Sequence, residues 1–122
     1  MRFLQRLSTL KPMRRLRVEF QPEAVAEHRA IFESVRDIAG SVRVAQGFTQ
    51  RIKARCDRIG DIPLGGRPRD DLSKGLRTVA FERSVIIAYR VTAERVEITN
   101  IFYGWRNYAA LFSKCDPKET DD

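Results

Sequence analysis

Residues 74–112 constrain the fold most. Leu76–Phe81, Val85–Val91 and Arg95–Tyr103 are each rich in Val, Ile, Thr, Tyr and Phe, residues that suit a pleated, half-buried surface. Glu82-Arg83-Ser84 and Thr92-Ala93-Glu94 separate them, and polar breaks of that length close hairpins. The pattern predicts an antiparallel meander. Its middle run is apolar on both parities apart from Arg90, as a strand buried on two faces should be. The last run changes phase: Val96 and Ile98 share one parity, Ile101 and Tyr103 the other. A bulge near Thr99–Asn100, or burial of both faces at the end, accounts for that change.

The rest of the chain supplies one more strand and two helices. Leu16, Val18 and Phe20 alternate with Arg17 and Glu19, a short strand with one buried face. Pro22 suits a first helical position, and Val25, Ile31 or Phe32, Val35 and Ile38 recur at helical spacing up to Gly40, a natural C-terminal stop. Ser41 can cap a second helix at once. Its stripe is Ala45, Phe48, Ile52, Cys56 and Ile59, and Gly60 closes it. Almost no loop separates the two helices, so they should form an antiparallel hairpin. Asp61–Ser73 holds Pro63, Gly65, Gly66 and Pro68, which argue against regular structure there. Residues 105–112 read as a short terminal helix, and 116–122 as a fraying acidic end. The expected fold is α+β: a helical hairpin on a small antiparallel sheet, ordered βααβββ plus that last helix.

At 122 residues the chain is one domain by size. No apolar run approaches the roughly 20 residues of a membrane span. The net charge of +7 is uneven: residues 1–18 contain six cations and no acid. Residues 1–15 therefore read as a basic arm, or as a mis-assigned start with Met13 the natural one. The domain proper is 16–113, and 114–122 is the tail. The folded part is close to neutral, so the high pI is weak evidence for nucleic-acid binding. Cys56 and Cys115 stand in no metal or redox spacing and fit free thiols in a reducing cytoplasm. Gly65-Gly66 lacks the Gly-Lys-Ser/Thr of a phosphate loop. No cofactor or metal is called for.

Several pieces, in this order and spacing, carry a resemblance. They are the opening strand into Gln21-Pro22-Glu23-Ala24, the loop Ile62–Arg69, and Leu72-Ser-Lys-Gly-Leu-Arg77. Val85–Val91 and the run from Val96-Glu97-Ile98 through Tyr103-Gly-Trp-Arg-Asn107 follow. From about Leu16 to Phe112 the chain resembles the RelE/ParE superfamily of bacterial type II toxins, most of all its ParE, or plasmid-stabilisation, branch. The resemblance implies a small cytoplasmic toxin wrapped by a cognate antitoxin through a helix and an extended segment. ParE-like toxins block DNA gyrase by protein–protein contact; RelE-like toxins cleave mRNA on the ribosome. One fold serves both, so fold alone does not separate them.

The site residues differ between the two readings. An RNase needs groups that stabilise a developing phosphorane and move protons. By resemblance those would be Arg77, Arg90, Tyr103 and Arg106. Tyr103 stands where a His is common in both branches, and Asn107 where an Asp is common in ParE-like chains. The single His, His28, lies in the first helix and reads as an ordinary helix residue. That leaves a tyrosine, whose hydroxyl ordinarily titrates near about 10, and disfavours RNase chemistry. Arg77 and Arg90 serve equally well as ion-pair partners of Glu97 or Glu82, and Tyr89 reads as core. A gyrase-blocking chain would use Tyr103, Trp105 and Arg106 as target contacts. Arg51, Arg55 and Arg58 share one helix face. They form either a solvated face or, with Arg67 and Arg69, a landing site for an acidic antitoxin segment.

Overall fold

The computed structural model describes residues 15–104. Most of the arm, Trp105, Arg106, the helix expected over 105–112, Cys115 and the tail lie outside the described residues. The elements are β1 (Arg17–Phe20), α1 (Pro22–Ala39), α2 (Val42–Ile59), a 3₁₀ turn (Pro63–Gly65), β2 (Arg67–Pro68), β3 (Arg77–Phe81), β4 (Val85–Val91) and β5 (Arg95–Tyr103).

Local chemistry accounts for the helical hairpin. Pro22 opens α1, and Gly40 ends it at φ 68° with its N–H donated to the Arg36 carbonyl, a left-handed stop that glycine adopts without a Cβ penalty. Ser41 Oγ then accepts the Val44 N–H at 3.1 Å and starts α2. Ala45, Ile52, Cys56 and Ile59 of α2 are buried, and Phe48 packs against them partly covered. In α1 the buried stripe is Ala24 and Ile31, with Val35 beside it. Val25 and Ile38, expected on the buried face, are 49 % and 78 % exposed. The inner face is set one residue earlier, because Glu27 and His28 also turn inward: His28 Nε2 meets the Thr49 carbonyl of α2 at 2.9 Å.

The five strands lie in the order β1-β5-β4-β3-β2. The β3–β4–β5 meander is antiparallel, as its sequence predicts. The sheet as a whole is mixed rather than antiparallel, because β1 runs parallel to β5, Val18 opposite Val96. The helical hairpin returns the chain to the end where β1 began: the Leu16 N–H donates to the Gly60 carbonyl at 2.8 Å. The stretch 61–73 also departs from expectation. It contains the 3₁₀ turn and a two-residue strand, with Arg67 opposite Thr78. Pro68 is tolerated there because β2 is the sheet edge, where a ladder donor is not needed.

The bulge is at the expected place. Ala88 faces Asn100 and Tyr89 faces Ile98, so Thr99 is the extra residue. Val85, Ile87 and Tyr89 of β4, with Val96, Ile98 and Ile101 of β5, join the helices in the main core. Leu76, Ala88 and Phe102 form a smaller cluster, with Leu72 and Ile86 packed against it.

Candidate functional site

Three of the four residues expected for RNase chemistry are described, and they do not meet. Arg77 faces Tyr89 across β3 and β4. Arg90 is the next residue after Tyr89, so its side chain leaves the opposite face of the sheet. Tyr103 faces Val85, four residues along β4 from Tyr89, or roughly 13 Å at the strand rise. Each arginine is occupied by loop acceptors. Arg77 Nη1 donates to the carbonyls of Leu64 at 2.9 Å and Gly66 at 2.7 Å. Arg90 donates to the Lys74 carbonyl at 3.4 Å and to the Ser73 hydroxyl. The ion pairs weighed for them are taken by others: Glu97 pairs with Arg95 at 2.8 Å and Glu82 with Arg51 at 2.9 Å. Arg77 and Arg90 thus pin the two loops that flank β2. Arg106 lies outside the described residues.

The arginine row of α2 makes a different kind of site. It runs between two hollows. One, of about 410 Å³, is lined by Val35, Arg43, Val44, Phe48, Arg51 and Tyr103 among others. The other, of about 380 Å³, is lined by Arg55, Arg58, Ile59, Ile62, Val79 and Tyr89 among others. In the first, Phe48 and Tyr103 meet edge to face at 5.9 Å, a favoured aromatic geometry. Ile62 and Leu64 stand 69 % and 66 % exposed on the 3₁₀ turn and its approach. Arginines interleaved with exposed apolar side chains suit a partner that is both acidic and amphipathic.

The arginines are not equivalent. Arg51 grips Glu82 with two bonds, 2.9 and 3.1 Å, and holds that carboxyl below its ordinary range. Glu82 and Arg83 turn the β3–β4 hairpin at φ 48° and 64°, left-handed values that cost side-chain-bearing residues energy; the Arg51 bond ties that turn to α2. Arg69 is bonded to Asp71 at 2.8 Å and lowers its pKa. Among the described residues no ion pair engages Arg55 or Arg58. Of the five arginines expected to meet an antitoxin, Arg51, Arg55 and Arg58 line the two hollows, and Arg67 is exposed on β2.

The model of the ParE toxin of type II toxin–antitoxin systems matches residues 18–108. The chain belongs to the ParE toxin family. Its fold is similar to a solved chain from a chromosomal ParDE toxin–antitoxin system of P. aeruginosa. That match has a TM-score of 0.65 and 21 % identity, covering 72 % of this chain and 95 % of that one. No curated protein matches.

In this ParE-family chain, sequence reasoning missed Val44, Ile62 and Leu64 as exposed apolar side chains and Glu27 as a structural acceptor. The first three carry a signal only in hindsight, as apolar residues on the arginine side of their elements. Glu27 Oε1 accepts the Ile101 N–H at 2.7 Å, and its carboxylate meets Asn100 Nδ2 at 3.2 Å. Burial raises its pKa, outweighing those two bonds. A glutamate in a first helical turn and a half gives no sequence hint of that role. Among the described residues no cluster of three or more His, Cys, Asp or Glu could hold a metal ion, and no helix is long and apolar enough to cross a membrane.

Proposed function

We propose that this chain is the toxin of a type II toxin–antitoxin pair, acting in the cytoplasm by blocking DNA gyrase through protein contact. A cognate antitoxin neutralises it by laying an acidic, amphipathic segment along the arginine row of α2. Family membership supports the toxin role. The observation that carries the choice of target is the dispersal of Arg77, Arg90 and Tyr103 over two faces and two ends of the sheet. Phosphoryl transfer needs its charged groups around one atom. A surface with arginines beside apolar hollows suits work by contact instead.

The deciding experiment sets two assays side by side with the purified chain. One is supercoiling by purified gyrase; the other is primer extension on ribosome-bound message. The expected result is loss of supercoiling with the message intact. Cleaved message with normal supercoiling would overturn the reading in favour of a ribosome-dependent endoribonuclease.

A further inference from the structure

Tyr103 reaches the arginine face only because β5 contains one residue too many. From Val96 and Ile98, which face the helices, strict alternation would place Asn100 and Phe102 under the helices and Ile101 and Tyr103 on the opposite face. The extra residue, Thr99, reverses this. Ile101 becomes 1 % exposed in the main core, Phe102 joins the smaller cluster, and Tyr103 reaches Phe48.

The bulge is held from two sides. Thr99 Oγ1 donates to the Ala88 carbonyl at 3.2 Å on β4. On the other side β1 has already ended, Phe20 being its last residue opposite Ile98. Among the described residues no strand is there to receive the Ile101 N–H, and Glu27 of α1 receives it instead at 2.7 Å while also taking Asn100 Nδ2. A carboxylate from the helix layer thus stands in for a missing strand at the point where β5 changes phase.

We infer that Glu27 is a positioning residue for the contact face: by fastening the Ile101 N–H and the Asn100 side chain it sets the register that presents Tyr103 beside Phe48. This rests on the proposed role of Tyr103 as a target contact. It predicts that a residue far from the partner controls how well the partner is held.

The test uses the full chain labelled with 3-fluorotyrosine, the Tyr103 resonance being assigned with Tyr103→Phe. Glu27→Gln keeps an acceptor for the Ile101 N–H; Glu27→Ala removes it. The expected result is a Tyr103 fluorine signal unchanged in Glu27→Gln and shifted or broadened in Glu27→Ala. The Ile101 amide should exchange faster in Glu27→Ala alone. The concentration for half-inhibition of purified gyrase should rise about tenfold in Glu27→Ala, the scale of truncating one central contact, with little further loss on adding Tyr103→Ala. If Glu27→Ala does not fold, Glu27→Asp, one methylene shorter, takes its place. An unmoved Tyr103 signal, or losses from Glu27→Ala and Tyr103→Ala that multiply, would overturn the inference. If the unaltered chain leaves gyrase untouched, the target reading fails, and the fluorine and exchange measurements still decide the positioning role.

Discussion

The Tyr89 hydroxyl lies 2.8 Å from the Gly66 amide nitrogen, and no side chain fits between them. It accepts the Gly66 N–H and donates to the Pro63 carbonyl at 2.8 Å, so one buried phenol fastens both ends of the 3₁₀ turn to β4. Gly66 has an ordinary extended backbone at φ −76°. Glycine is needed there for closeness: a Cβ would sit 2.8 Å from the Tyr89 ring edge and closer still to its oxygen.

Two substitutions should therefore fail for one reason. Tyr89→Phe strands a buried N–H and a carbonyl, at a cost of about 1–3 kcal/mol. Gly66→Ala should cost at least as much, because the ring or the loop has to move. Urea melts of both, with Gly65→Ala as a control, check this. A Gly66→Ala midpoint equal to that of the unaltered chain would sink the account.

Reversing charge on α2 should separate two roles that the sequence merges. Arg55→Glu with Arg58→Glu leaves the Arg51–Glu82 bond in place and should weaken binding of a co-expressed cognate antitoxin about tenfold or more, with the melting curve unchanged. Arg51→Glu, set against Glu82, should in addition loosen the β3–β4 turn. Calorimetric titration and hydrogen exchange at residues 82–84 read the two effects. Undiminished affinity in the double variant removes this face from the interface.

Glu27 makes a signed prediction about pH. Burial raises its pKa in the folded chain, so the fold favours the protonated acid. The stabilisation is complete below the unfolded value, about 4.3, and fades as pH rises through the higher folded value. Relative to Glu27→Gln, which does not titrate, the unaltered chain should lose stability between acid and neutral pH. Denaturation of both proteins at several pH values tests the slope. A difference that stays constant, or that grows in favour of glutamate, contradicts it.

Cys56 should be chemically silent. Its side chain is fully buried, and desolvation pushes the thiol up to about 12, so almost no thiolate exists near neutrality. In a Cys115→Ser background, a disulfide reagent at pH 8 should label it only as fast as the protein unfolds. Prompt labelling without denaturant would show that α2 lifts from the sheet.

Much of this was readable in advance where pattern and chemistry agree. The meander, the two capped helices and the bulge each leave a local trace: alternation, a Gly-Ser joint, a change of phase. The family resemblance, carried by segments along the chain, agrees with the family match over 18–108. The direction of β1 was not readable, because four alternating residues look the same from either end. The inner face of α1 was misjudged because Glu27 and His28 look like surface residues until their backbone partners are known. Arg77 and Arg90 invited a catalytic reading because charges in apolar strands are conspicuous, whereas the loop carbonyls they bind lie at the other ends of turns.

The parallel pairing of β1 with β5 joins the first described strand to the last. A ribosome makes them in that order, so the opening strand waits, unpartnered, while everything between is synthesised. A product cut short before Arg95 leaves both β1 and the flank of β4 bare, ready to seize stray chains. On the proposed contact mechanism, a working surface arrives only with β5, and an antitoxin present at birth has that interval in which to reach the chain first.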